Sequence, residues 1–140
     1  MNSFHHSTSI QVRFADVDAM NHVNNAKYLT YIEIARIGYF NEVLRQGMHA
    51  TPGFILARAS VDFLLPIEIH DEIKVLTRCS RMGNKSFELE YEIVKTGSEP
   101  QAVVAKAQTV LVAYDYDAKQ TVAVPQEWKI RIEAFEQRAF

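Results

Sequence analysis

Apolar and polar positions divide the chain into one long helical stretch set among strands. From Ser9 to Phe14 they alternate, with Ile10, Val12 and Phe14 on one side and Ser9, Gln11 and Arg13 on the other, the period-two mark of a half-buried strand. From about Ala26 to Arg45 the pattern changes. At about 100° per residue, Lys27, Asn41, Glu42 and Arg45 cluster on one polar side. Tyr28, Leu29, Ile32, Ala35, Tyr39, Phe40, Val43 and Leu44 fill a wide opposite arc. That arc is too broad for a coiled-coil seam and suits a helix packed against a sheet. Glu33 and Arg36 fall inside it, three residues apart, and read either as an ion pair tying the helix to its surroundings or as a sign that Glu33 reaches a cleft. Tyr31 and Ile34 lie among the polar positions, where a second surface such as a subunit contact is expected to cover them. Gly47 is expected to end the helix, and Thr51-Pro52-Gly53 to form a turn.

Beyond the turn the period returns to two. Ile55, Ala57, Ala59, Val61, Phe63 and Leu65 alternate with Leu56, Arg58, Ser60, Asp62 and Leu64 until Pro66 closes the run. A strand is predicted over Ile73 to Arg81, then a turn built on Gly83-Asn84. In the next strand Phe87, Leu89, Tyr91 and Ile93 alternate with Glu88, Glu90 and Glu92, and the glutamates read as a solvated sheet face. A polar turn, Thr96 to Pro100, precedes a long strand from Ala102 to Tyr114, and Asp115 to Lys119 turns into a short edge segment, Thr121 to Val124. Pro125 opens a predicted helix over 126–138 carrying Trp128, Ile132 and Phe135, and residues 1–7 read as a frayed start. A strand, a helix and then consecutive strands with hairpin-length connections predict a single α+β domain with an antiparallel sheet. There is no βαβ alternation, Gly-rich phosphate loop, Cys/His metal spacing or Gly-x-Ser-x-Gly elbow.

Composition narrows the function classes. With 140 residues, 48% hydrophobic and 23% charged, the chain matches a soluble globular domain, and its net charge of −2 gives no footprint for nucleic-acid binding. The single cysteine, Cys79, excludes an internal disulfide and reads as a buried small hydrophobe. His5 and His6 are adjacent and do not share a face, so they make a poor metal pair. No apolar run is long enough for a membrane span, and the first residues lack the build of a signal peptide, so a cytoplasmic location is expected.

Chemistry concentrates at the mouth of the long helix. The loop Asp16-Val17-Asp18-Ala19-Met20-Asn21-His22-Val23-Asn24-Asn25 brings two carboxylates, a histidine and two asparagines to a helix start. Unpaired N–H groups and a partial positive charge are found there, which suits an anionic or carbonyl-like group. Asn24 reads as the N-cap, and Asp16 as a loop-former bonded to nearby N–H groups.

The run Phe14-Ala15-Asp16-Val17-Asp18-Ala19-Met20-Asn21-His22-Val23-Asn24-Asn25-Ala26-Lys27-Tyr28-Leu29, followed by Glu33 and Ala35-Arg36, resembles the signature of hotdog-fold acyl-CoA thioesterases of the 4-hydroxybenzoyl-CoA thioesterase type. The resemblance is specific in this opening third and looser to about Tyr114. It implies a long central helix wrapped by a curved antiparallel sheet of five or six strands. It also implies subunits that pair their sheets edge to edge, commonly building tetramers, with the cleft between subunits.

By this resemblance Asp18, the second Asp of the loop, is the catalytic carboxylate. Ionised at neutral pH, it either attacks the thioester carbonyl or activates a water. Backbone N–H groups near Asn24 and Asn25 would receive the oxyanion. His22 matches a histidine of one branch of the family, and either polarises the carbonyl, orients the water or shuttles a proton, or else holds the loop. Arg81, Lys85 and Ser86, with Arg58 and Ser60, are the candidates for the nucleotide end of coenzyme A, and Tyr28 for the acyl pocket. Coenzyme A enters as part of the substrate, with no metal and no redox cofactor. A hydratase or dehydratase acting on acyl thioesters, and a non-catalytic acyl-CoA or acyl-carrier binding module, are the alternative readings.

Overall fold

The computed structural model describes residues 3–46, 52–97 and 101–140. The elements are β1 (His6–Ile10), α1 (Asn25–Val43), β2 (Gly53–Phe63), β3 (Ile73–Met82), β4 (Ser86–Lys95), β5 (Ala102–Asp115), β6 (Gln120–Thr121) and α2 (Gln126–Glu136), with a 3₁₀ turn at Phe14–Asp16. The six strands form one antiparallel sheet in the order β1-β3-β4-β5-β2. β6 pairs with β5 at Tyr114 and Asp115, on the flank that β4 leaves after Val112. The α+β antiparallel expectation therefore holds, with six strands and two α-helices among the described residues.

Alternation in β3, β4 and β5 sorts the side chains to two faces. Ile73, Val75, Thr77 and Cys79, then Phe87, Leu89, Tyr91 and Ile93, then Ala105, Ala107, Thr109, Leu111 and Ala113 are buried. α1 lays Tyr28, Ile32, Ala35, Tyr39, Phe40 and Val43 into the same core, which Trp128 and Ile132 of α2 complete. Each large side chain so buried contributes roughly 1.5–3 kcal/mol before entropy is counted. The other sheet face carries Glu88, Glu90 and Glu92, half-buried rather than freely solvated. Arg78 pairs with Glu90 at 2.8 Å, and Arg81 pairs with Glu88 at 3.4 Å.

Several boundaries differ from the sequence reading, each for a physical reason. The first strand is His6–Ile10, not Ser9–Phe14, so residues 6 and 7 are not frayed: His6 pairs with Thr77 and Ser7 with Leu76. Phe14 lies in the 3₁₀ turn and is 86% exposed, because the chain bends there to enter the acidic loop. α1 stops at Val43, with Leu44 as C-cap and Arg45 at φ 55°, the left-handed backbone that ends helices. Gly47 and Thr51, assigned to the helix end and the turn, lie outside the described residues, as do Ser98 to Pro100. In β2 a bulge between Leu56 and Arg58 inserts one residue, so that Phe54 and Leu56 share a face with Ala59, Val61 and Phe63. Phe54 thereby reaches Phe40, with ring centroids 4.2 Å apart.

On α1, Tyr31 is buried rather than on an outer surface, while Leu29 is 46% exposed. Arg36 is buried, and Glu33 lies on the surface with their charged ends 3.8 Å apart, so the pair exists but Glu33 does not point inward.

α2 protects an edge of the sheet. β1 covers β3 only as far as Thr77, and beyond it no strand among the described residues lies beside the Cys79 N–H. The Glu136 carboxylate at the end of α2 accepts that N–H at 2.8 Å and the Tyr39 hydroxyl at 2.6 Å. Burial, reinforced by this carboxylate, pushes the Tyr39 phenol well above its ordinary value, and burial pushes the Cys79 thiol up to about 12. Cys79 is thus the inert buried residue its surroundings suggest. Removing the carboxylate strands two buried donors, so Glu136→Ala is predicted to cost about 2–4 kcal/mol of unfolding free energy in urea titrations. Unchanged stability would refute the edge-sealing role.

Candidate active site

The acidic loop folds as a miniature hairpin closed at its base. Asp18 N–H donates to the His22 carbonyl at 2.8 Å, Asn21 N–H to the Asp18 carbonyl at 3.0 Å, and Val17 bridges Val23. Asn21 makes the reversal at φ 63°, a left-handed conformation that asparagine tolerates better than most residues. The loop closes where the Asp16 carbonyl accepts the Asn24 N–H at 2.8 Å. It also rests on the segment after β2, through Val23 N–H to the Ile67 carbonyl at 2.7 Å and a bridge from His22 to Glu68.

Asp18 stands at the turn of this hairpin and is exposed. One carboxylate oxygen, Oδ1, accepts the Met20 N–H at 2.9 Å and lies 3.4 Å from the His22 N–H. Among the described residues the carboxylate makes no ion pair. His22 is half-buried; its backbone holds the loop, and its imidazole makes no hydrogen bond to the described residues.

The helix start is capped as the sequence indicated. Asn24 Oδ1 accepts the Ala26 N–H at 2.9 Å, and the Asn24 carbonyl accepts the Lys27 N–H at 2.8 Å. The Asn25 N–H is left without a partner among the described residues, so the first turn keeps a donor at the mouth of the hairpin. Tyr28, one turn further on, is buried, with its ring edge-on to Phe63 at 4.9 Å and its hydroxyl 3.5 Å from the Leu65 carbonyl. Burial raises its phenol above the ordinary value.

Asp16 is the residue whose weight the sequence reading underestimated. It is 1% exposed, and its carboxylate accepts the Tyr31 hydroxyl at 2.7 Å, the Arg13 N–H at 3.0 Å and the Arg13 guanidinium at 3.1 Å. Burial alone would raise its pKa; the bonds from Arg13 and Tyr31, with the Arg13 charge, outweigh burial and hold it below the ordinary carboxylate value. The i,i+3 spacing of Arg13 and Asp16 was a signal for half of this arrangement. Tyr31 gave none, because the loop that buries it is remote from the helix pattern.

The proposed nucleotide-binding residues separate into two groups. Arg58 and Ser60 project from the outer face of the sheet and line a cavity of about 70 Å³ with Glu88, Gln108 and Val110. Arg81 joins them through Glu88, which also accepts from Gln108 at 3.1 Å. Lys85 and Ser86 sit at the β3–β4 turn, where their carbonyls accept the Ala113 and Gly83 N–H groups. A larger cavity of about 300 Å³ on the same face includes Ser60, Asp62, Arg78 and Lys106 among its walls, and Asp18 lines neither cavity. The loop residues Asp18, His22, Asn24 and Asn25 lie in one run of chain leading into the helix start, and the proposed nucleotide-binding residues fall in two groups elsewhere on the molecule. No group of three or more His, Cys, Asp and Glu among the described residues is arranged to hold a metal ion. No described helix is long and apolar enough to cross a membrane.

An antiparallel sheet bearing a helix that opens from an acidic hairpin is the layout of hotdog-type thioesterases, and comparison with known proteins agrees. The model of the Thioesterase-like superfamily matches residues 12–132, and the chain belongs to that superfamily. It is 34% identical to a thioesterase from Thermus thermophilus solved with coenzyme A and Zn, with all of both chains covered and a TM-score of 0.84. It is 29% identical over 128 residues to the long-chain acyl-CoA thioesterase FadM of Escherichia coli K12, covering 90% of this chain and 96% of that one. Identity to the 1,4-dihydroxy-2-naphthoyl-CoA hydrolase of Nostoc punctiforme is 28% over 128 residues, covering 83% and 78%.

The Asp16 carboxylate makes a prediction about acid stability. Because its folded pKa lies below the unfolded value of about 3.9, its contribution is present above that value and is lost as pH falls through the folded one. The gap in thermal midpoint between wild type and Asp16→Asn should be constant from pH 7 to about pH 5 and should narrow below about pH 4. A gap that widens in acid would contradict the assigned bonding.

Proposed function

We propose that the protein hydrolyses acyl-CoA thioesters to a carboxylic acid and free coenzyme A, with the chemistry at the Asp18 hairpin and the start of α1. The observation that carries this reading is a division of labour in the first turn. Asn24 takes the Ala26 and Lys27 amides for capping, while the Asn25 N–H stays unpartnered among the described residues, beside a loop that presents the Asp18 carboxylate. In this reading the Asp18 carboxylate attacks the carbonyl carbon, or removes a proton from a water that does so. Negative charge then develops on the carbonyl oxygen, and the Asn25 N–H donates to it with help from the helix dipole. Collapse of the tetrahedral intermediate breaks the carbon–sulfur bond and expels the thiolate. If Asp18 is the nucleophile, water then hydrolyses the resulting anhydride; if it is the base, the acid forms directly. The imidazole of His22, on the same hairpin, is suited to orient the water or protonate the leaving sulfur.

The remaining parts belong to an assembly. β2 is an edge strand of 11 residues with no neighbour on its outer side among the described residues, and Leu56, Phe63, Leu64 and Leu65 are exposed along it and just beyond. An exposed edge of this length invites pairing with another strand. A homodimer joined edge to edge through β2, pairing further into a tetramer, would cover these residues and complete the acyl pocket next to Tyr28 and Phe63. In that assembly Arg58, Ser60, Arg81, Lys85 and Ser86 supply the donors and positive charge for the nucleotide end of coenzyme A. The Thermus relative, solved with coenzyme A, supports this substrate class. No resident cofactor takes part.

A thiol-trapping assay with short, long and aromatic acyl-CoAs tests the reading. Wild-type protein should release free thiol, and Asp18→Asn should lower kcat about 10²–10⁴-fold with the far-ultraviolet circular dichroism unchanged. Hydration of an unsaturated acyl chain without thiol release would assign a hydratase instead, and binding without either reaction would leave a carrier module. Arg81→Ala should raise KM for acyl-CoA with little change in kcat, the mark of a contact made equally in ground and transition states. An unaffected KM would remove Arg81 from the binding site.

A further inference from the structure

We propose that Tyr31 is a positioning residue for Asp18: its hydroxyl, bonded to Asp16, holds the base of the acidic hairpin against the body of α1 and so fixes where the Asp18 carboxylate stands relative to the Asn25 N–H. The inference rests on the hydrolase reading above and adds to it a residue that does not touch the substrate.

Among the described residues, Asp16 ties the base of the hairpin both to the cap of α1 and to its body. Its main-chain carbonyl accepts the Asn24 N–H at 2.8 Å, which ties it to the cap of the helix. Its side chain accepts the Tyr31 hydroxyl at 2.7 Å, from a residue about 9 Å further along the helix axis at 1.5 Å per residue from Asn25. One hydrogen bond is a hinge; two separated ones set an angle. The Arg13 bonds do not do this, because Arg13 belongs to the same run of chain as Asp16, with its side chain largely in solvent, and moves with it. Among the described residues, the link from the Asp16 carboxylate into the helix is Tyr31.

The burial of the pair argues in the same direction. Tyr31 is 2% exposed and Asp16 1%, so a phenol hydroxyl at this depth is unfavourable unless it is bonded, and phenylalanine would fill the same space without that requirement. The hydroxyl is therefore committed to Asp16. From Asp16 the chain passes through Val17, fixed by its bridge to Val23, directly to Asp18. A single residue, itself held in that bridge, separates Asp16 from Asp18, so a tilt of the hairpin base reaches the carboxylate. A displacement of the order of 1 Å at a reacting group costs about 10²-fold in rate, so a single hydrogen bond remote from the chemistry has leverage over kcat.

The test uses the full-length protein and the variants Tyr31→Phe, Asp18→Asn and their combination. Tyr31→Phe should lower kcat about 10- to 100-fold with KM for acyl-CoA unchanged. In the Asp18→Asn background it should produce no further loss, because a residue that acts through Asp18 has nothing to act on once the carboxylate is gone. Amide hydrogen exchange supplies a readout that needs no turnover: Met20, His22 and Asn24 should exchange faster in Tyr31→Phe, while β3, β4 and β5 stay protected. Full kcat with unchanged loop exchange overturns the proposal. So do losses that multiply in the double variant, or a fall in kcat accompanied by a raised KM and lost sheet protection, which marks a loosened fold. If wild-type protein releases no thiol, the hydrolase reading fails, and with it the catalytic role of Tyr31; the exchange data then still decide whether Tyr31 holds the hairpin.

Discussion

Everything at the helix mouth follows from a carboxylate placed out of water. A buried Asp16 would be a liability without donors, and the chain supplies them from two directions, the preceding backbone and the helix. Once those bonds form, the path of the chain from Arg13 to Asn24 is determined at both ends. The hairpin in between is short enough that its own hydrogen bonds do the rest. The same loop then settles where α1 begins, since Asn24 is both the last residue of the hairpin and the cap of the helix. Fold and site are thus not separate achievements here: the contact that starts the helix also frames the carboxylate.

The sheet answers a different requirement, that backbone groups at its rims find partners or water. β3 is longer than β1, and the difference is made up by a side chain, Glu136, rather than by another strand. β5 is longer than β4, and there the chain folds back on itself as β6. Both solutions come late in the sequence, from Gln120 onward, which explains why the C-terminal segment packs so tightly although it contributes nothing to the acidic loop. His6 illustrates the limits of such packing. Burial lowers its pKa despite Glu42 at 3.1 Å, and its Nδ1 and the Thr77 hydroxyl on the paired residue both lack hydrogen-bond partners among the described residues. The neutral ring is the form this corner of the core favours.

How much of this was legible in the residues depends on the range over which each is determined. Asn24 as a cap, Asp16 as a bonded loop-former and the strands of Phe87 to Ile93 and Ala102 to Tyr114 rest on neighbours a few positions away, and they were readable. The first strand was not, because His6-Ser7-Thr8-Ser9-Ile10 carries little apolar alternation and is recruited by β3. Helical periodicity placed Tyr31 on the polar side because it counts only residues of the helix, whereas the cover over Tyr31 is a loop. The phase of β2 was misread on one side of Ala57, since a bulge is a property of two strands and shows in neither alone. Within the site, the residue types marked the loop as a whole, and the family resemblance singled out Asp18, His22 and Asn25; the link through Asp16 to Tyr31 required coordinates.

The two rims of the sheet are unlike. At one end stands a five-residue strand, with a helix sealing the part of β3 it fails to reach; at the other stands an eleven-residue strand with its outer side bare among the described residues. A sheet with two equally inviting rims can add copies of itself without limit and grow into a fibre. Here the short rim offers five residues for strand addition and the long rim eleven, so the two ends of the sheet differ in what they can pair. The C-terminal helix, by taking up the Cys79 N–H through Glu136, leaves β3 with less bare backbone at the short rim than its length alone would give.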